Sequence, residues 1–267
     1  MKRIALALGI ALLLAIPTLA TETVVSTHAV LGEFAQVIGG DEIEVITIIP
    51  SGFCPAHYDL SPSDLVAVLD ASLVLYSGFE PWMDTLLDAV ESSATVLQLP
   101  GSWNTPDSAI SKVETIRDAL SARYPDLSSD FAADADAYIE SLRALGATLQ
   151  DRAESLGASS IAVVCMEWQA SFVSWLGFDV AVTYGLPEGL SLQDLVRLTA
   201  DGQNAGAVLV IDNLQSGISF GAKLAHEVGA VHVVLSNFPG AMPGTATVLD
   251  LFTQNAEALF TAVEPIE

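Results

Sequence analysis

Near-continuous apolar runs alternate with stretches whose apolar positions recur every three or four residues, and the alternation fills both halves of the chain. ETVVSTH (22–28), EIEVITIIP (42–50), SLVLYSG (72–78) and TVLQLP (95–100) read as strands. AVLGEFAQVIGG, PSDLVAVLDA (62–71) and PWMDTLLDAVES (81–92) lie between them as helices. The second half repeats the order with ASSIAVVC (158–165), FDVAVTY (178–184), AVLVID (207–212) and VHVVLS (231–236), separated by helical stretches such as SLQDLVRLTADGQ and FGAKLAHEVG. Val/Ile/Leu runs separated by helices mark parallel strands buried on both faces. Each half is therefore expected to be an α/β lobe.

Between the halves the period changes. Residues 107–157 hold no strand-like run, and Phe131, Ala135, Tyr138, Leu142, Leu145 and Leu149 keep to one helical face. A helix from about Ser129 to Leu156 would span roughly 40 Å at the α-helical rise. The expected fold is α/β: two parallel-sheet lobes joined by a single long helix, with a ligand cleft between them. The predicted boundaries are a leader at 1–20, a first lobe at 21–127, the linking helix at 128–157 and a second lobe at 158–267. Open parallel sheets bind ligands at the carboxyl ends of their strands, so two facing lobes converge on one cleft.

Composition adds an address and excludes partners. Lys2 and Arg3 precede a short apolar run, with Thr18-Leu19-Ala20 offering small residues for cleavage, so the N-terminus reads as a secretion signal. An uncleaved anchor is the alternative. No cysteine stands near its end for lipid attachment. The expected location is periplasmic or otherwise extracytoplasmic, where thiols oxidise readily. The formal net charge of −24 comes from 33 acidic and 9 basic residues. Such a surface repels nucleic acid and anionic lipid, which both require Lys/Arg neutralisation.

Residues with ligand chemistry fall at the predicted strand ends. Cys54 and His57 stand three apart in the Gly/Pro-bounded loop after the second strand; Cys165, Met166 and Glu167 follow the fifth. His28 ends the first strand, Asp212-Asn213 the seventh and Ser236-Asn237 the last. Each has a plainer reading: a Cys54–Cys165 disulfide, a solvated His57, a packing Met166, a helix-capping Asp212, a structural His28. Several aromatics, among them Phe79, Trp103, Trp168 and Phe238, also sit near predicted strand ends and could line an organic pocket. No GxSxG, P-loop, dinucleotide fingerprint or HExxH is present, and no catalytic set is assigned.

VVSTHAVLGEFAQVIGGDEIEV, PSGFCPAHYDLSPSD, EPWMDTLL, WNTPDSA and VVCMEWQASFVSWLGFDV together resemble the periplasmic solute-binding proteins of zinc/manganese ABC transporters. The resemblance runs through nearly the whole chain after the leader, in order. It implies the two-lobed fold, a metal cargo and delivery to an ABC permease subunit, without enzymatic activity. The ligand pattern departs from the family's. Its histidine positions fall on Ala56, Gly101 and Met166, and its late carboxylates near Asn213 and Ser236 or Asn237.

Two readings follow. In the first, Cys54, His57, Cys165, Glu167 and Asp212 form a rebuilt metal site, with His28, Met166, Asn213, Ser236 and Asn237 as further cleft residues. Thiolate and imidazole suit Zn²⁺ first, Cu⁺ next, and Mn²⁺ least. In the second, the same scaffold holds a metal chelate or small organic ligand, with Cys54 and Cys165 disulfide-bonded. The partners expected are the permease and the metal, with membrane contact only through the permease or an uncleaved anchor, and a monomeric state.

Overall fold

The computed structural model describes residues 22–90 and 92–264. The expected leader at 1–20 lies outside the described residues. The first lobe is built from β1 (Glu22–His28), α1 (Ala29–Gly39), β2 (Ile43–Ile49), α2 (Pro62–Asp70), β3 (Leu73–Tyr76), α3 (Met83–Val90) and β4 (Thr95–Gln98). Two helices follow, α4 (Pro106–Arg123) and α5 (Ser128–Ser155). The second lobe comprises β5 (Ala162–Met166), α6 (Glu167–Trp175), β6 (Asp179–Tyr184), α7 (Leu192–Ala205), β7 (Leu209–Asn213), α8 (Ser219–Val228), β8 (Val231–Leu235) and α9 (Val248–Val263).

Every strand pairing is parallel. The sheet orders are β2-β1-β3-β4 and β6-β5-β7-β8, so both lobes use one topology. In each, the strand order reverses between the first and third strands. The crevice at such a reversal is where open α/β sheets receive ligands. His28 and Tyr76 end the two strands there in one lobe, Met166 and Asn213 in the other.

Helix starts follow from local chemistry. Thr105 caps α4 reciprocally with Ser108, with Pro106 at the first helical position; Ser191 with Asp194 and Thr247 with Asp250 cap α7 and α9. The long linking helix is present as α5, and α4 and α9 flank it, so it is not a lone strut. Gly146 lets α5 lie close to the start of α4 and the end of α6, since a Cβ there would lie 3.4 Å from Pro106 and 3.3 Å from Trp175.

One hydrophobic core joins the lobes. It runs from Val24 and Phe34 through Ile116, Phe131 and Leu142 to Phe172, Ile211 and Phe260. Each fully buried Leu, Ile or Phe contributes about 1.5–3 kcal/mol relative to exposure. Smaller clusters cover the outer faces, around Val25, Val74 and Met83 in the first lobe and Val164, Val210 and Leu224 in the second.

Candidate functional site

The loop after β2 carries Cys54 into the cleft and is pinned from its own lobe. Trp82 Nε1 donates to Pro55 O at 3.0 Å, and Tyr58 OH donates to Asp64 Oδ2 at 3.1 Å on α2. Opposite it, Gln215 Nε2 crosses from the second lobe to Ser51 O at 3.1 Å. Trp103 Nε1 donates to Asn237 O at 2.9 Å and Asn104 Nδ2 to Trp168 O at 2.8 Å, both across the lobes.

Between these ties lies a cavity of about 530 Å³, counted to its open mouth. Phe79 and Trp103 from the first lobe meet Trp168 and Phe238 from the second; Cys54 and Asn213 complete the wall. Ring centroids are 5.4 Å apart for Phe79–Trp168 and 5.6 Å for the stacked Trp103–Phe238 pair. A neighbouring cavity of about 500 Å³ shares Phe79, Trp103, Trp168 and Asn237, and Glu167 lines it.

Behind the aromatics sits His28, 1% exposed, with its ring 4.4 Å from Trp103 and 5.2 Å from Phe238. Burial pushes its pKa down to about 4, against the opposing charge of Glu80. Neither ring nitrogen has a hydrogen-bond partner among the described residues. Burial alone would raise the pKa of Glu80, but hydrogen bonds from Thr27 and Ser77, together with His28, outweigh this and hold it low. Asn213 accepts through Oδ1 from Ser216 N and Oγ, each at 3.0 Å, which leaves its buried Nδ2 without a partner among the described residues. Gln169 is fully buried, donates to Asn237 Oδ1 at 2.9 Å and leaves Oε1 unpaired in the same sense.

The five residues expected to share a metal are not brought together. Cys54 lines the cavity, half-buried. His57 is 56% exposed and turns to Glu188 of the second lobe, Nε2 to Oε1 3.4 Å. Cys165 is wholly buried in the shared core, where its thiol donates to Met166 O at 3.3 Å and burial raises its pKa well above the usual range. Glu167 is exposed at the start of α6. Asp212 lies inside the second lobe, accepting from Tyr184 OH and from His232 Nε2 at 2.8 Å. Among the described residues no three His, Cys, Asp or Glu side chains are placed to hold one metal ion.

The physical reason is that both faces of the second sheet are covered. Cys165 and Asp212 are the penultimate residues of β5 and β7, one place short of the carboxyl edge, and each enters packed protein, Cys165 in the core shared by the lobes and Asp212 against Tyr184 on the other face. Both cysteines are free, so the alternative Cys54–Cys165 disulfide is not formed. Of the further cleft residues, Asn213 and Asn237 line the cavity. Met166 is buried and its sulfur accepts from Trp168 N at 3.2 Å; Ser236 is buried and bonded to Asn255 and Phe238. Gln169, Gln215 and Glu188 carry no sequence signal that marks them, because their roles come from lobe–lobe apposition.

Three positions where the family resemblance places metal ligands, Ala56, Asn213 and Asn237, do line the cavity. Gly101 and Met166, the other histidine positions the resemblance implies, do not line it.

This architecture, two like-wound parallel lobes bridged by a long helix with a cavity between their carboxyl edges, defines a helix-linked, two-lobed α/β protein. The profile of the family described as zinc-uptake complex component A, periplasmic (ZnuA), matches residues 24–262, and the chain belongs to that family. Its members are solute-binding components of metal uptake, not enzymes. The manganese-binding lipoprotein MntA of Halalkalibacterium halodurans is 30% identical over 161 residues, covering 54% of each chain. The zinc-binding lipoprotein AdcA of Streptococcus pneumoniae is 29% identical over 200 residues, covering 63% of this chain and 39% of its own. The chain thus spans about half or less of these relatives' length. The periplasmic zinc-binding protein TroA from Treponema pallidum superposes with a TM-score of 0.81 at 18% identity, over 92% of this chain and 100% of that one. That likeness establishes the fold. No described helix is long and apolar enough to cross a membrane.

Proposed function

We propose that this chain is the extracytoplasmic solute-binding component of an ABC-type uptake system, receiving a transition-metal cargo between its lobes and passing it to a permease subunit. The observation that supports this is the cavity at the switch-point edges of both sheets, in a chain that belongs to a zinc-uptake family. Zinc is the first candidate, because the donor facing the cavity is the Cys54 thiol; Cu⁺ shares that preference, and Mn²⁺ favours oxygen ligands.

The residues present do not fit a bare ion. Besides the Cys54 thiol the cavity offers three amides (Asn213, Gln215, Asn237) and the Ser216 hydroxyl, with no imidazole or carboxylate, a poor donor set for a bare zinc ion. The charged or basic groups that could complete it are buried elsewhere or face solvent. The cargo metal therefore arrives with donors of its own, as a chelate. The aromatic walls favour this second reading of the cleft over the naked-ion reading, since they offer contact area rather than coordination.

The test is elemental and mass analysis of protein recovered from its native compartment without chelators. The expected result is one zinc per chain, released on denaturation together with a small organic molecule. Protein that carries no transition metal, and takes none up with or without a chelator, overturns the proposal.

A further inference from the structure

We propose that the face of the molecule turned away from α5 docks a membrane protein built of two identical subunits. Each subunit seats one of two matched apolar helix stripes in a hollow rimmed by lysine or arginine. This rests on the reading of the chain as the solute-binding component of an uptake system, and names how its receiver is held.

The stripes occupy the same place in each lobe. α2 and α7 both connect the second strand of a lobe to its third, and both start with the same reciprocal cap. Ser61 N donates to Asp64 Oδ2 at 2.7 Å, and Ser191 N to Asp194 Oδ2 at 2.9 Å. Counted from that cap, the same positions are apolar and exposed. Pro62 and Leu192 open the helices, and Val66 and Val196 follow one turn later. Val66, Leu192 and Val196 are each more than half exposed, as is Leu69, which extends the first stripe. Scattered exposed aliphatics are ordinary. A pair repeated at matching positions of two like-wound lobes instead fits a partner that makes one contact twice, as a two-fold dimer does.

Both stripes look to one side. Val24 and Leu75 of the first sheet and Val163 and Ile211 of the second enter the core shared through α4 and α5. Their strand neighbours Val25, Val74, Val164 and Val210 enter the separate clusters under α2 and α7. Each helix therefore covers the sheet face turned away from the shared core. The loops leading into the two helices meet, His57 Nε2 to Glu188 Oε1 3.4 Å, and Phe53 adds an exposed ring on the first of them. Cys54 and Leu186 of these same loops line the cavity, so the docked partner reaches its wall.

Charge sets the rim. Lys112, Arg117 and Arg123 lie on α4, and Arg143 and Arg152 on α5. Residues 51–100, which carry α2 and α3, hold no Lys or Arg, and Asp59, Asp70 and Asp84 are exposed there. Arg197 of α7 is paired with Asp194 at 3.4 Å and Asp201 at 3.2 Å, and Lys223 of α8 is outnumbered by Glu188 and Glu227. Such a face attracts lysine and arginine and repels anionic lipid.

The experiment replaces Val66, Val196 or, on the exposed side of α5, Ala144 with the photo-crosslinker p-benzoylphenylalanine. Each full chain is mixed with sealed vesicles of the native cell membrane, outer face outward, and with liposomes of the lipid extracted from that membrane. The expected result is one integral membrane protein linked from both Val66 and Val196, with no link from Ala144 and no binding to the liposomes. Val66→Lys and Val196→Lys should each weaken vesicle binding about tenfold, and Val66→Glu and Val196→Glu only about threefold, because a basic rim repels the added cation. Thermal midpoints should be unchanged, since all four side chains are on the surface. Equal loss from lysine and glutamate overturns the proposal. Links from Ala144 alone, to different proteins from the two stripes, to lipid, or to a second copy of this chain also overturn it, and leave metal carriage standing. Vesicles that take up none of the unsubstituted chain overturn delivery to a permease as well, while the elemental analysis still decides the cargo.

Discussion

His28 is a neutral imidazole enclosed by Trp103 and Phe238, and its environment sets an acid limit on the fold. Its pKa falls from 6.5 to about 4 in the folded chain. The unfolded chain takes up this proton first, so the stability it contributes is present above 6.5 and is lost as pH falls toward 4. The difference corresponds to roughly 3 kcal/mol. His28→Phe should flatten the fall in denaturant midpoint between pH 6.5 and 4, measured by urea unfolding at several pH values. An unchanged slope would mean the imidazole finds compensation on protonation. At Ala56 and Asn213 the expectation is a gain. The double variant Ala56→His and Asn213→Asp returns an imidazole and a carboxylate to the cavity wall, and should bind bare zinc at least tenfold more tightly than the parent by isothermal titration calorimetry. His57 contrasts with both: its exposed pairing with Glu188 is screened by solvent. His57→Ala should leave ligand affinity within about threefold.

At the scale of elements, much of the architecture was legible. Glu22–His28 emerges as a strand at the predicted ends, and the strand at 42–50 differs by one residue at each. The buried parallel pattern and the one-faced periodicity of α5 are local signals. The helix α9 adds to the alternation that the apolar runs define, and its placement depends on a distant group. Glu33 of α1 accepts from Val248 N at 2.8 and 2.9 Å, at the α9 N-terminus, and from Tyr138 OH at 2.8 Å. Burial raises the pKa of Glu33, only partly offset by the Val248 N–H, so its contribution is greatest below the ordinary carboxylate range and is lost as pH rises through the raised value. Glu33→Gln should remove that gain on mild acidification, seen as a flatter dependence of thermal midpoint on pH. The candidate site was less legible because one residue of strand register separates cleft from core. Cys165 and Asp212 sit one place short of the sheet edge, whereas Asn213 sits on it. Asp212 is further fixed by α8, where a Cβ on Gly221 would lie 2.1 Å from its Oδ2. Gly221→Ala should therefore destabilise by about 1–3 kcal/mol through overpacking, measured by equilibrium unfolding.

Over the whole molecule, the family and the two-lobed fold could be read from ordered motifs, while the lining of the cleft could not. Gln215 meets Ser51, and Trp103 meets Asn237, only after both lobes are docked. No spacing within one lobe encodes such pairs. The shared core through α4, α5 and α9 also limits what the lobes can do. Small-angle scattering of the protein with and without added zinc salt should give radii of gyration that agree within about 1 Å, since packed interiors transmit strain rather than yield.

The three amide and indole bridges that span the cleft carry one more consequence. A wholesale swing of one half of the protein would break all three together, so on the proposed function release falls to a short segment such as the Cys54 loop or the Trp168 turn. On that reading dwell time belongs to those few segments.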